Sequence, residues 1–480
     1  MRKKSLIYSL IVFVLLVVFF IVLHPIAIFD TDDWNFIHNL RIPIPLIGAW
    51  NPTKVFPEFF LPLFSYIGAF VLYPLTGNYC FSLSVSNGIF ICFIITVYFT
   101  EFFLLISKKF DFSTVKSVLI SAVFIGLHFC AIAHPGNDNV FLFYAYDMNC
   151  VYNYILSTLL NASLVMHLMR TGGLDRWKEL PKSHKFCLGI WIYLAVFSNL
   201  YSSIVLGVYI GVELLQTLIE DKRDHSFKLK DYWANNKTLL IITIIWLCSF
   251  IIELTGERAT LHATGIAHNI LSAAKRILTW FNRFNLVFIV FAGIIIIARV
   301  VLMKKKNIVD DMKCLAALGL TTLYIVLLSA VVDFTYVYRT DVILPVAFWA
   351  LLLLMLFLGS LMEKINYGNV ILAVTAAVSV MGTVYFSDTY KEINYINAPY
   401  KTCEAFVDDV INQFMQAESQ GKTETDLVLP KFETDDNWPI ADYAAESFSN
   451  AMYYHGVTET KVTVNNLVFT KEKNKELGIY

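Results

Sequence analysis

Apolar positions in this chain gather into long blocks instead of alternating with polar ones. A helix needs ~17–25 apolar residues to cross a bilayer. Such runs recur near 5–29, 82–106, 117–134, 148–168, 186–200, 203–219, 238–254, 285–303, 313–332, 341–361 and 369–386. The pattern predicts an all-α polytopic membrane protein with about eleven transmembrane helices over 1–386. The short pair at 186–219 also reads as one helical hairpin. After Phe386 the blocks stop, and 387–480 predicts a small soluble α/β domain. Within it, 426–430 (DLVLP) and 461–469 (KVTVNNLVF) read as strands. Residues 441–454 read as a helix, with Ile440, Ala444, Ala445, Phe448, Ala451 and Met452 on one side.

Composition agrees with the blocks. Of 480 residues 57% are hydrophobic and only 16% charged, and the mean hydropathy is +0.61. Soluble domains run at about 45–50% and 25%. A net charge of −1 offers nothing to a nucleic acid. Cys80, Cys92, Cys130, Cys150, Cys187, Cys248 and Cys314 fall in the apolar part and Cys403 in the tail, with no metal spacing and no disulfide framework.

Basic residues orient the helices, because cytoplasmic loops carry an excess of Lys and Arg. Arg2, Lys3 and Lys4 put the N-terminus in the cytoplasm. The run behind them is too long for a signal peptide and lacks a small-residue cleavage site, so it reads as a retained helix. The groups 108–116, 170–185, 222–237 and 304–313 supply most of the remaining bases and fall inside by alternation. The 387–480 domain is then extracytoplasmic, on the outer face of a cell membrane of bacterial type. Residues 58–75, with Pro62 and Pro74, would upset that order by crossing. They are expected to be interfacial or re-entrant, inside a first outer loop of about 30–81. A second such element is expected at about 266–284, where Ile266, Ile270, Ile277, Leu278 and Trp280 sit among Lys275, Arg276 and Arg283.

The sharpest chemical feature follows the first helix: Phe29-Asp30-Thr31-Asp32-Asp33-Trp34. Carboxylates at a low-dielectric boundary have raised pKa values, which suits proton abstraction. Asp32 or Asp33 is the candidate general base, with Asp30 and Trp34 as substrate contacts. The same cluster also fits a solvated helix end, or a weakly held Mg²⁺ or Mn²⁺. The next outer loop adds Asp138, Tyr146, Asp147 and Asn149, the mix of acids, amides and rings that sugars need; it also fits an ordinary polar loop with interfacial aromatics. Arg258 and Arg339 are candidate phosphate ligands through their planar forks, or else snorkelling or locally paired arginines. His24, His128 and His167 read as packed histidines, and no nucleotide or zinc-protease motif occurs.

This assembly resembles the GT-C fold of membrane glycosyltransferases, and more closely the bacterial members that decorate surface polysaccharides. The similarity rests on a cytoplasmic N-terminus, one helix, and then the D-x-D-D-W motif opening a long outer loop. Asn149, Tyr152, Asn153 and Tyr154 add a helix start of similar type, and Gly256 to Arg258 a Gly-x-x-Arg-like element with altered spacing. The resemblance implies transfer of one sugar, with inversion, from a polyprenyl-phosphate donor to a cell-surface polysaccharide or other envelope acceptor. It implies Asp32 or Asp33 as base and Arg258 or Arg339 on the leaving phosphate. The competing readings are a polymerase or ligase of lipid-linked glycans, and a lipid or sugar transporter or flippase. A transporter would place ionisable groups at midplane and show repeated halves.

Overall fold

The computed structural model describes all residues except 1, 137, 173, 175, 176, 226, 258–264, 303–307, 366, 367 and 480. The protein is mostly helical, with one small two-stranded sheet. Among the described residues seven helices are long and apolar enough to cross a membrane: Lys3–Leu23, Val55–Thr76, Tyr79–Lys109, Leu200–Arg223, Ile308–Val332, Thr340–Met362 and Gly368–Thr389. Two bent pairs, Leu229–Asn235 with Lys237–Glu253 (82°) and Ile266–Arg283 with Leu286–Leu302 (96°), raise the number to nine if each is one span.

All eleven expected segments are helical, yet length and composition qualify fewer of them. Thr114–Cys130 and Lys182–Val196 have only 17 and 15 residues, below the ~20 that span hydrocarbon. The segment from Met148 to Thr171 is long but rich in Asn, Ser and Thr. Its Asn149, Asn153, Ser157, Thr158, Asn161 and Ser163 are all buried. Protein surrounds it, so it satisfies its polar groups on neighbours: Asn161 donates to Ala195 O at 3.0 Å and Thr158 to Ser202 Oγ at 3.0 Å. Lys182–Val196 and Leu200–Arg223, joined by three residues, form the expected hairpin.

Val55–Thr76 differs from its interfacial expectation in one respect: it is a single helical rod that meets the length and composition of a span. Pro62 breaks no rod here, and Gly68–Leu72 continues it as a π-helical turn. The rod turns back at Gly77 onto Tyr79–Lys109, where Gly68 lies so close that a Cβ would meet Leu83 Cα at 2.9 Å. At its start, Phe56 N–H donates to Phe197 O at 2.9 Å, and Thr53 N–H to Glu253 at 3.1 Å.

In the C-terminal part, β1 (Glu424–Pro430) and β2 (Thr463–Thr470) pair in parallel, with Leu427 opposite Leu467 and Leu429 opposite Phe469. Parallel strands need a crossover; helix Ala445–Tyr454 supplies it. A further helix, Tyr400–Ser419, was not anticipated. It buries Cys403, Phe406, Val407, Val410, Ile411, Phe414 and Ala417, the i, i+3, i+4 stripe of an amphipathic helix.

Candidate functional site

Two loosened helices meet at the acidic motif. The first helix relaxes into a π-helical turn, Val18–Leu23, before the chain reaches Asp30 and the short helix Thr31–Ile37. The helix beginning at Met148 carries another π-helical stretch, Val151–Leu156. Such turns recur at functional sites. Asp147 caps this second helix by accepting the Cys150 N–H. Asp33 ties the two ends together: one oxygen accepts from Asn149 N–H at 2.9 Å, the other from Phe29 N–H at 3.1 Å.

Asp30, Asp33 and Asp147 are buried, whereas Asp32 is half-buried. Asp30 accepts from Tyr395 N–H at 3.4 Å through one oxygen, and its other oxygen has no hydrogen-bond partner. Burial pushes the Asp30 and Asp33 carboxyls well above the usual carboxylate range. Asp33 and Asp147 add to the shift at Asp30, and Asp147 adds to that at Asp33. Burial and then Asp32 push Asp147 up to about 7. Among the described residues no three acidic, cysteine or histidine side chains are placed to hold a metal ion. Asp30, Asp32 and Asp33, the expected Mg²⁺ or Mn²⁺ site, form no such group.

Arg339 stands beside this cluster. It makes a two-pronged pair with Asp341 (3.1 and 2.5 Å) and donates to Cys150 Sγ at 3.1 Å. The rings of Tyr146, Tyr154 and Tyr336 lie 4.8–5.3 Å from its guanidinium carbon. Burial alone would weaken its charge, but Asp341 outweighs that and holds its pKa above the ordinary arginine value. Next to it is an open cavity of about 380 Å³, bordered by Asp138, Tyr146, Arg283, Asp341 and Lys391. Arg283 is fixed there by Tyr338 O at 2.9 Å and by stacking on the Tyr338 and Trp280 rings.

The C-terminal part closes over the motif. Thr31 N–H donates to Pro439 O at 2.9 Å, and Thr31 Oγ1 accepts from Ala441 N–H at 2.7 Å. His455, buried, bridges Tyr79 OH at 2.5 Å and Ile37 O at 3.1 Å. Burial and His38 lower its pKa to about 3, so it stays neutral. A row of rings passes from the loops to this domain: Tyr146 to Tyr395 at 5.7 Å, then Tyr395 to Trp438 at 5.9 Å. Tyr395 and Tyr443 are 50% and 58% exposed, and Tyr443 lies within the field of Asp32.

Several expectations change. Trp34 is fully buried against Phe448 and Phe406, at 4.8 and 6.5 Å, so it packs the two parts together. Asn149 spends its side chain on Asn153 at 2.7 Å and acts as a backbone anchor for Asp33. Asp138 is exposed at the cavity rim and accepts from Asn397 at 3.3 Å. Arg258 lies outside the described residues. His128 packs as expected, bonded to Phe124 O and Tyr98 OH. Lys391, Tyr395, Trp438 and Tyr443 were missed. The aromatic-rich stretch beginning at Tyr385 was a sequence signal for Tyr395 alone.

The chain is thus a polytopic helical protein with several helices able to span a membrane. No protein-family model matches it, and no curated protein or solved structure resembles it at a significant level.

Proposed function

We propose that this protein is a GT-C-like membrane glycosyltransferase. In this reading it takes one sugar from a polyprenyl-phosphate donor and passes it, with inversion, to an envelope glycan on the outer face. The observation that carries the reading is the half-buried Asp32, set among buried carboxylates, beside the caged Arg339 and an exposed row of aromatic rings. Sugar hydroxyls suit carboxylates, and flat sugar faces suit tyrosine and tryptophan rings.

Asp32 is the base. It takes the acceptor hydroxyl proton, the oxygen forms a bond to the anomeric carbon, and the carbon–phosphate oxygen bond breaks. The electron pair leaves with the polyprenyl phosphate. Arg283 at the cavity edge, with Arg339 behind Tyr146, stabilises that charge as it develops. Asp33 positions the loop, since each of its oxygens holds a backbone N–H.

The orientation follows from the basic-residue asymmetry, with about eleven helices crossing and the 387–480 domain outside. Packing supports an interfacial role for Val55–Thr76. Its start bonds Phe197 and Glu253, at the outer ends of their helices in this orientation. Midway along, it reaches the C-terminal domain, where Tyr66 meets the His455 ring edge-on at 4.8 Å.

The test is envelope glycan composition in cells lacking the gene, complemented with wild type, Asp32→Asn or Asp33→Asn. The wild type should restore one sugar decoration and Asp32→Asn should not. If the missing gene changes no glycan, or both variants restore full decoration, the reading fails.

A further inference from the structure

The end of the bundle away from the acidic motif holds a second cavity, of about 440 Å³. The helix entered at Asn149, beside Asp33, runs to Arg170 at this cavity, roughly 30 Å away at 1.5 Å per residue. Lys108, Lys109, Arg170 and Lys313 border it, against two carboxylates, Glu213 and Asp310. Its remaining wall is apolar, with Leu105 and Leu168 among the lining residues.

The cations are fixed in place without being used up. Lys109 pairs with Asp310 at 2.5 Å and Lys313 with Glu213 at 2.9 Å, and an ammonium has three donors. Lys108 donates to the Arg170 carbonyl at 2.8 Å, and among the described residues no carboxylate lies within ion-pair distance of it. A second, independent feature points to a ligand. Trp349 lines the same cavity, is only 2% exposed, and its indole N–H has no hydrogen-bond partner. Buried donors are nearly always satisfied, so an orphan N–H on a ring that forms part of the cavity wall calls for an acceptor.

We infer that this cavity binds a phosphorylated amphiphile from the adjacent leaflet. Lys108, flanked by Lys109 and Lys313, holds the phosphate; the Trp349 N–H takes another oxygen of the same molecule; and the chain lies along the apolar wall. A free phosphate ion would leave that wall unused. The inference does not depend on the glycosyltransferase reading, since it concerns the opposite end of the bundle and is read by binding alone.

The experiment uses the purified full chain in neutral detergent, with native mass spectrometry and thermal shift as readouts. Lysophosphatidic acid, glycerol phosphate and lysophosphatidylcholine are the probes. Lysophosphatidic acid should bind and stabilise best, and Lys108→Gln should weaken it about tenfold, as loss of one charged hydrogen bond does. Trp349→Phe keeps the ring, removes only the N–H, and should weaken binding by about fivefold; it serves as the test if Lys108→Gln folds poorly. Glycerol phosphate binding as tightly would overturn the lipid assignment in favour of a free phosphate. Equal binding of the choline lipid, or wild-type affinity in both variants, would overturn the site.

Discussion

The acidic cluster and the opposite end of this bundle treat carboxylates in opposite ways, although Asp341 beside the cluster is paired with Arg339. At one end, Glu101 faces Arg170 at 2.9 Å, Asp310 faces Lys109, Glu213 faces Lys313, and Asp311 faces Arg299. At the other, Asp30, Asp33 and Asp147 are buried among one another and held by backbone N–H groups, with no lysine or arginine at ion-pair distance among the described residues. Paired charges fasten helices. Crowded, unpaired ones cost stability, and such perturbed groups cluster where proton chemistry is done. If the proposed function holds, substitutions at the two ends should read out differently.

The largest expected effect is at Asp32. Asp32→Asn keeps the shape and removes the base, so transfer in a reconstituted donor–acceptor assay should fall ~10²–10⁴-fold while the melting temperature holds. Wild-type turnover would erase the contrast between the two ends. Arg170→Ala should do the reverse. It leaves the largely buried Glu101 with only His167 beside it and should cost about 3 kcal/mol of stability, read as a lower unfolding temperature in detergent, with per-molecule transfer retained. Arg339→Lys comes next. It keeps the charge and loses the fork that grips Asp341, so donor use should drop about tenfold at unchanged expression. An undiminished rate would move the phosphate contact to Arg283.

The smallest effect is a pH slope. Asp147 has its pKa raised to about 7 when folded, against ~3.9 unfolded. Between those values the folded state binds more protons than the unfolded one. Stability from this group is therefore fully present below pH ~4 and is lost as pH rises towards 7. Asp147→Asn can still cap Cys150 but cannot titrate, so its melting temperature should depend less steeply on pH. An unaltered slope assigns the titration to Asp30 or Asp33.

The acidic motif was legible because its parts are neighbours in sequence, and so were the helices, because burial in lipid writes long apolar runs. The roles within the motif were not legible. Only the fold shows that Asp33 is fastened at both oxygens, that Asp32 is half-buried, and that Trp34 faces the C-terminal core instead of the membrane surface. The helix Met148–Thr171 shows the limit of hydropathy: shielded by other helices, it can afford asparagines that a lipid-facing span cannot. Trp438 and Tyr443 were beyond reach, since nothing local ties them to residue 32. Tyr400–Ser419 was different. Its stripe is present in the sequence and was passed over in favour of the strands.

The clamp of Thr31 on Pro439 and Ala441 has a consequence for the order of synthesis. The two partners are 410 residues apart. At ~5–20 residues per second, the loop after the first helix waits roughly 20–80 seconds for its counterpart to be made. Through that interval every intervening helix is inserted, while Trp34 has neither Phe406 nor Phe448 to pack against and Asp30 lacks the Tyr395 N–H. A nascent chain can therefore have all the helices between these residues threaded into the bilayer and still lack this closed end. The acidic end takes shape only when residues 395–448 fold back over the motif, so its assembly follows the insertion of every helix between them.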